Sequence, residues 1–196
     1  YKGEAYFMLG FAYGELATYY GDCVLNKGMT LEEAYEAVRT PKKEVMAYAY
    51  ECLDKAIELL PDSHTGQQRP TKGVALGIKA RFALYHEDWE TAAQAAEQCM
   101  NSKVYKLHDN YGELFKADSS PELMFYFKGD LTLKKGYGLF DNVYNYVIRK
   151  IGGACNRSPS LELFCSYTCT DGLPINKSPL YNPKDPFANR DPRLAM

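Results

Sequence analysis

The second half of the chain holds aromatic residues with amide and basic side chains spaced between them. A sugar ring has an apolar C–H face and a rim of hydroxyl groups, so aromatic faces flanked by amide and cationic donors match both of its surfaces. This pattern is typical of carbohydrate binding; the alternative is that the rings pack an irregular segment against helices. The candidate ligand-binding residues are Tyr137, Phe140, Asn142, Tyr144, Tyr146 and Arg149, with Asn145 and Lys150 beside them.

Sequence patterns for catalysis are weak by comparison. The chain has no nucleophile elbow, phosphate-binding loop, H-E-x-x-H motif or dinucleotide fingerprint. The carboxylate pairs Glu32-Glu33 and Glu87-Asp88 resemble glycosidase acids only in composition, because each falls at a predicted helix start, where capping and the helix dipole explain it. We therefore expect a protein that is not an enzyme and that uses no cofactor.

A metal site is not expected either. The three histidines are isolated, and Cys165 and Cys169 have no third cysteine or adjacent histidine at ligand spacing. Cys52 and Cys99 fall in apolar helical stripes, where a small buried thiol is the simpler interpretation.

Composition excludes other classes of protein. Of the 196 residues, 46% are hydrophobic, which is too many for a disordered chain. No apolar run approaches the ~18 residues that a membrane span needs. The formal net charge of -2 offers no basic excess to neutralise phosphates, so we expect no nucleic-acid partner. Tyrosine is unusually abundant, with seventeen copies, and it suits both wet cores and recognition surfaces.

Helices are predicted to occupy the first half of the chain. The spacing of apolar residues predicts a helix over 4–20, ended by Gly21-Asp22. Thr30 and Glu33 form a capping-box pattern that predicts a short helix over 31–38. Thr40-Pro41 predicts the N-cap and first residue of a helix that Pro61 ends. The predicted buried faces are Ala5, Leu9, Ala12, Tyr13, Leu16 and Tyr20 in the first helix, and Val45, Ala49, Cys52, Leu53, Ala56, Ile57 and Leu60 in the third.

Two further helices follow after a polar loop. Thr71 is predicted to cap a helix from Lys72 to about His86, and Asp88 to cap another from Trp89 to Met100. The short link between them predicts an antiparallel pair. The predicted buried faces are Val74, Ala75, Ile78, Phe82 and Tyr85 in one, and Trp89, Ala92, Ala93, Ala96 and Cys99 in the other.

Both helix pairs partly match the tetratricopeptide pattern of small and aromatic positions. The fold class predicted is therefore mostly α: a tetratricopeptide-like helical stack over 1–104 with an insertion at 21–43, followed by an irregular, loop-rich segment over 105–196 that faces the ligand. Trp89 is predicted to pack in the stack. The same expectation holds for Tyr6, Tyr13, Tyr19, Tyr20, Tyr48 and Tyr50.

A series of short motifs, taken in order along nearly the whole chain, resembles the SusD-like (RagB/SusD) family of outer-membrane nutrient-binding lipoproteins of Bacteroidetes. The motifs are Tyr19-Tyr20-Gly21-Asp22, Arg39-Thr40-Pro41, Leu53 to Pro61, Arg69, Thr71 to Leu76, Lys79-Ala80-Arg81, Trp89-Glu90, Ala92-Ala93, Thr170 to Ile175, Ser178 to Pro183 and Asn189 to Arg193.

The resemblance implies a surface lipoprotein that captures an oligosaccharide, or alternatively a peptide, for a TonB-dependent SusC-like transporter. Family members are longer, so we expect the lipid-anchor segment and a C-terminal remainder to lie outside this chain. The competing hypothesis is a tetratricopeptide-type scaffold that binds a peptide or protein partner. A helical carbohydrate-active enzyme is a third and weaker hypothesis.

Overall fold

The computed structural model describes residues 1–64, 69–114, 120–126 and 158–194. Within these ranges the regular structure is helical and the only β pairing is three isolated bridges. The prediction of a mostly helical chain is therefore confirmed. The helices are α1 (Lys2–Tyr20), α2 (Leu31–Glu36), α3 (Lys42–Leu59), α4 (Lys72–Tyr85), α5 (Trp89–Asn101), α6 (Tyr111–Leu114) and α7 (Leu161–Ser166), with a 3-10 turn at Pro192–Leu194.

The described residues fall into two compact units. Residues 1–64, 69–108 and 120–126 form the first, which contains α1 to α5; residues 109–114 and 158–194 belong to the second. In the first unit α1 packs along α3, α3 contacts α4, and α4 packs along α5. These are the two helix pairs that the sequence predicted.

Glycines let α1 and α3 approach closely. A Cβ atom on Gly10 would lie 2.7 Å from Leu53 Cγ and 2.9 Å from the carbonyl oxygen of Ala49. On Gly14 it would lie 2.2 Å from the Phe82 ring. A methyl group has no room at either position, so only glycine lets α1 approach the α3 backbone at Gly10 and the Phe82 ring of α4 at Gly14.

The buried face of α1 is not the predicted one. Of the six predicted positions only Tyr13 is buried, while Ala5, Leu9, Ala12, Leu16 and Tyr20 are exposed. The residues that are buried are Gly3, Phe7, Gly10, Tyr13, Gly14 and Ala17. The prediction was wrong because α1 carries large apolar residues on more than one side, and the close contact with α3 selects the face with small residues.

The predicted face of α3 is confirmed. Val45, Ala49, Cys52, Leu53 and Ala56 are buried, as is Leu60 just beyond the helix. Its start differs from the prediction, because Thr40 does not cap it. Thr40 instead exchanges backbone hydrogen bonds with Cys23, and the Lys42 amide donates to Asp22 Oδ1 at 2.8 Å. The β-bridge between Cys23 and Thr40 thus brings together the two ends of the insertion between α1 and α3.

The insertion carries the predicted capping box on an exposed helix. Thr30 Oγ1 accepts from the Glu33 amide, and Glu33 Oε2 accepts from the Thr30 amide at 2.8 Å. Leu31 and Tyr35, four residues apart on one face of α2, are 73% and 83% exposed, and Val38 beyond the helix is 82% exposed.

Helices α4 and α5 form the predicted antiparallel pair. Their caps are confirmed, since Thr71 Oγ1 accepts from the Val74 amide and Asp88 Oδ1 from the Thr91 amide. Cys99 near the end of α5 donates to the carbonyl of Gly73 at the start of α4. Part of each predicted face is wrong, however, because Tyr85, Trp89, Ala93 and Ala96 are exposed. In α5 the predicted Ala92 and Cys99 are half-buried, and the fully buried residue is Ala95, which was not predicted.

The tyrosines predicted to pack in the stack are likewise partly buried and partly exposed. Tyr13 is buried, and Tyr6, Tyr48 and Tyr50 are half-buried against the core. Tyr19 and Tyr20 are exposed at the end of α1, so their predicted place in a helix interface is wrong. Trp89 is 62% exposed, which also contradicts its predicted packing role.

A buried arginine organises the second unit. Arg190 is 4% exposed, and its guanidinium donates to the carbonyls of Pro186 (3.0 Å), Phe164 (2.8 Å) and Tyr167 (3.0 Å). The Phe164 and Tyr181 rings lie 4.9 and 5.6 Å from it. The planar guanidinium, which has five N–H donors, thereby links three segments. They are α7 at Phe164, the residue after the end of α7 at Tyr167, and the loop before Arg190 at Pro186.

Gly10→Ala is expected to lower the free energy of unfolding by about 1–3 kcal/mol, because the added methyl would meet the Ala49 carbonyl and Leu53. The loss occurs although alanine has the better helix propensity. Urea unfolding of the full-length protein measures it. Gly77→Ala is the matched control: its Cβ would lie 3.4 Å from Met124, an ordinary contact, so propensity should stabilise it by roughly 0.5–1 kcal/mol. Equal effects of both substitutions would contradict the close-approach account.

Arg190→Lys is expected to speed hydrogen exchange at the Cys169 and Thr170 amides by roughly tenfold or more. The reason is that a single ammonium group cannot replace a planar guanidinium that donates to three carbonyls. These amides donate to the carbonyls of Leu173 and Asn189. Exchange followed by NMR measures the change. The control is Arg193→Lys, on an exposed side chain that pairs with Asp191. Unchanged protection in Arg190→Lys would contradict the organising role.

Candidate functional site

The aromatic residues predicted to bind ligand all lie outside the described residues. Tyr137, Phe140, Asn142, Tyr144, Tyr146 and Arg149 fall between 127 and 157. Their role therefore remains a prediction. The described part of the first unit contains recesses of about 210, 460 and 510 Å³. The one of about 460 Å³ lies on the insertion, beside Leu25 and Met29, and the other two involve the helical stack.

The smaller recess lies beside the loop before α4, and its volume is about 210 Å³. Its polar groups already have partners within the protein. Arg69 pairs with Glu4, His64 Nε2 lies 3.2 Å from the Pro70 carbonyl, and Thr71 Oγ1 lies 2.5 Å from the Tyr105 hydroxyl. The volume is below the roughly 300–1,000 Å³ of typical ligand sites, so this recess is better explained as part of the fold.

The larger recess, which we call the α3 groove, lies between the first half of α3 and the turn that joins α4 to α5. Its volume is about 510 Å³. Residues of α3 spaced three or four apart lie on one helix face, so Lys42, Met46 and Tyr50 line one wall together. The complete lining is Lys42, Lys43, Met46, Ala47, Tyr50, His86 and Asp88.

Two caps fix the wall of the groove that faces α3. His86 is the C-cap of α4, and its amide donates to the carbonyl of Phe82. Asp88 is the N-cap of α5 and is bonded to the Thr91 amide. Because both positions belong to helix ends, the two side chains stand on rigid elements rather than on a free loop.

The hydrogen bonds of His86 determine its tautomer. Thr18 Oγ1 donates its proton to the Gly14 carbonyl at 2.7 Å and lies 3.0 Å from His86 Nε2. The hydroxyl therefore accepts from Nε2–H, which leaves the lone pair of the neutral ring on Nδ1. Burial, and in addition the Lys42 ammonium, lowers the pKa of His86, so the neutral form is favoured.

The other groups of the groove give it both polar and apolar character. Burial, and then the Asp88 carboxylate, raises the pKa of Tyr50 to about 12, so its hydroxyl keeps its proton. Met46 and Ala47 add an apolar floor. Lys42 and Lys43 are exposed, and neither makes an ion pair within the described part of the chain. The arrangement can hold a ligand by contact and charge, and it contains no activated nucleophile.

Sequence reasoning did not identify this groove. Its walls come from two segments about forty residues apart, and neither has a motif. One local signal was present: a helix that begins Lys42-Lys43 places two cations at the end where the helix dipole favours acidic residues.

Over the described ranges, no group of three or more His, Cys, Asp or Glu side chains is placed to hold a metal ion. None of the helices in those ranges combines the length and the apolar character needed to cross a membrane.

Lys42→Ala is expected to raise the pKa of His86, because it removes a cation that disfavours the imidazolium. Since the folded-state pKa is lowered, His86 stabilises the fold above its ordinary pKa, and this stability is lost as the pH falls through the folded value. The variant should therefore lose less stability in acid. NMR titration of the three histidines measures the pKa, with Lys177→Ala in the other unit as control. An unchanged or lower pKa would contradict the assignment.

Comparison with known proteins finds similarity to SusD-like proteins. Residues 1–84 match a SusD-like family described as "Starch-binding associating with outer membrane". The chain is 27% identical over 125 residues to SusD-like protein P2 of Formosa agariphila, an alignment that covers 61% of this chain and 25% of the relative.

Solved structures agree with the sequence matches. A SusD-like carbohydrate binding protein from Bacteroides fragilis has a TM-score of 0.81 and 25% identity, over 98% of this chain and 39% of that one. A second SusD-like protein from the same species has a TM-score of 0.77 and 25% identity, over 98% of this chain and 41% of that one. The chain thus spans a quarter to two fifths of the length of these relatives, and it is similar to SusD-like proteins in both sequence and fold.

Proposed function

We propose that the protein captures an oligosaccharide at the cell surface without transforming it and passes it to a TonB-dependent SusC-like transporter of the outer membrane. The observation that carries the proposal is the fold: the TM-score of 0.81 to a SusD-like carbohydrate binding protein extends over 98% of this chain. The matching family's description, starch-binding and associated with the outer membrane, supports the same location. Attachment to the membrane by a lipid anchor is part of the proposal.

The proposed ligand surface is the aromatic group of Tyr137, Phe140, Asn142, Tyr144, Tyr146 and Arg149. Tyrosine rings stack on the C–H faces of sugars, while the amide and guanidinium groups donate to hydroxyls. The helical stack supports this assignment indirectly. Most of its own tyrosines lie against the core or at helix ends, so they are not a single continuous aromatic surface.

A second candidate function is favoured by one observation. Leu31 and Tyr35 form an exposed apolar stripe on α2, in the insertion between α1 and α3, and Val38 is exposed just after that helix. Exposed apolar surfaces of this kind are typical of protein docking, so a tetratricopeptide-type scaffold that binds a peptide or protein partner is the alternative. If the protein delivers an oligosaccharide to a transporter, the same stripe would contact that transporter.

Capture without hydrolysis is preferred because one carboxylate of each pair that resembles glycosidase acids caps a helix. The carboxylates Glu33 and Asp88 bond to backbone amides at helix starts. Release of reducing ends from oligosaccharides by the purified full-length protein would contradict this part of the proposal.

A glycan-array screen of the full-length protein is expected to show binding to an oligosaccharide. The triple variant Tyr137→Ala, Tyr144→Ala, Tyr146→Ala should then weaken binding at least tenfold. Each aromatic contact contributes about 0.5–1.5 kcal/mol beyond the burial of its area, and the variant removes three of them. Calorimetry with the best array ligand measures the affinity.

The matched control is Tyr19→Ala, Tyr20→Ala, Tyr35→Ala, which removes three tyrosines that are exposed on the first unit. It should leave the affinity unchanged. Equal affinity in the wild type and the first triple variant would contradict the proposed ligand surface. Binding to no glycan on the array, together with capture of peptides, would favour the scaffold instead.

A further inference from the structure

We propose that the α3 groove is a second saccharide site, which holds an acidic sugar unit, carboxylated or sulfated, through Lys42 and Lys43 and stacks its ring against Tyr50. This inference rests on the proposed function and names a substrate class for it. The groove lining comes from the helical stack, and it shares no residue with the predicted aromatic group of the second half of the sequence.

Its size and lining fit one or two sugar units. The volume of about 510 Å³ lies within the roughly 300–1,000 Å³ of small-molecule sites. Met46 and Ala47 provide an apolar floor, and Tyr50 provides an aromatic ring held half-buried on α3. A C–H sugar face packs on such a floor, whereas a free inorganic anion would make no use of it.

The charges of the groove select an anion. The lining holds two ammonium groups, one carboxylate and a neutral imidazole, which leaves it positive in a chain whose formal charge is -2. Lys42 and Lys43 also repel the positive end of the α3 dipole. Asp22 bonds to the Lys42 amide but makes no ion pair with either ammonium. A bound carboxylate or sulfate would supply the missing counter-charge.

The remaining polar groups can position the sugar hydroxyls. Neutral His86 has its Nε2–H bonded to Thr18 and its Nδ1 lone pair open to a donor. The Asp88 carboxylate accepts, and the protonated Tyr50 hydroxyl can donate. Donors and acceptors on both walls match a ring that has hydroxyl groups beside its acidic group, and they would not be needed for a simple anion.

The test measures binding to the full-length protein of three tetrasaccharides: tetragalacturonate, a sulfated carrageenan tetrasaccharide and neutral maltotetraose. In Lys42→Ala, Lys43→Ala the affinity for the better acidic probe should fall roughly tenfold or more, since two charge-assisted contacts are lost. The neutral probe should be unaffected. Lys42→Arg, Lys43→Arg should retain most of the affinity. Both lysines are exposed on the surface, so the fold should survive, which circular dichroism verifies.

The control for net charge is Lys177→Ala, Lys184→Ala, which removes the same charge from exposed positions in the second unit. It should retain acidic binding. NMR of the wild type should show the acidic probe shifting His86 and leaving His64 and His108 unchanged. The carboxylated and sulfated arms identify which acid is preferred.

Three results would overturn the inference: an affinity within twofold of wild type in Lys42→Ala, Lys43→Ala; equal weakening by the two alanine pairs; or no binding of either acidic probe. If neutral glycans still bind the array in these cases, the proposed function stands and only the groove fails. If no glycan of any kind binds, the proposed function fails as well.

Discussion

The close contact of α1 with α3 at Gly10 and with α4 at Gly14 is the constraint on which the rest of the first unit depends. Without side chains at these two positions, Leu53 and the Phe82 ring fill the space directly against the α1 backbone. Phe82 thereby ties α4 to α1, and one turn later Thr18 bonds to both Gly14 and His86. The wall of the α3 groove is therefore positioned by glycine packing, since His86 ends the same helix that Phe82 anchors.

Local signals predicted the helices well, because caps depend on residues three positions apart. Thr30, Thr71 and Asp88 each cap the helix that follows, as expected. The buried faces were harder to predict. Helix α1 is apolar on several sides, so the spacing of its apolar residues predicted that Leu9 and Leu16 are buried. The face that contacts α3 is instead the one that carries Gly10, because that contact leaves no room for a side chain. Trp89 matched a core position of the repeat, yet no described helix covers its side of α5.

The site was predictable only in part, for a related reason. The aromatic group at 137–149 is visible in the sequence because its members are neighbours along the chain. The α3 groove is not visible there, because Lys42 and His86 meet only after α1, α3 and α4 have packed. Arg190 shows the same limit: Asn189 to Arg193 is visible in the sequence as a motif, whereas the bonds of Arg190 to three carbonyls up to 26 residues away depend on the folded unit.

The central claim is that this helical stack supports a surface that binds oligosaccharide without altering it. Hydrogen-exchange mass spectrometry of the full-length protein, with and without its bound oligosaccharide, tests the claim most directly because it locates the ligand along the chain. The account predicts that a bound oligosaccharide slows exchange over 137–149. When the sugar is acidic, exchange over 42–50 should slow as well, and exchange in the core of α1 should not change. Slower exchange confined to the apolar stripe of α2, with none at 137–149, would contradict it.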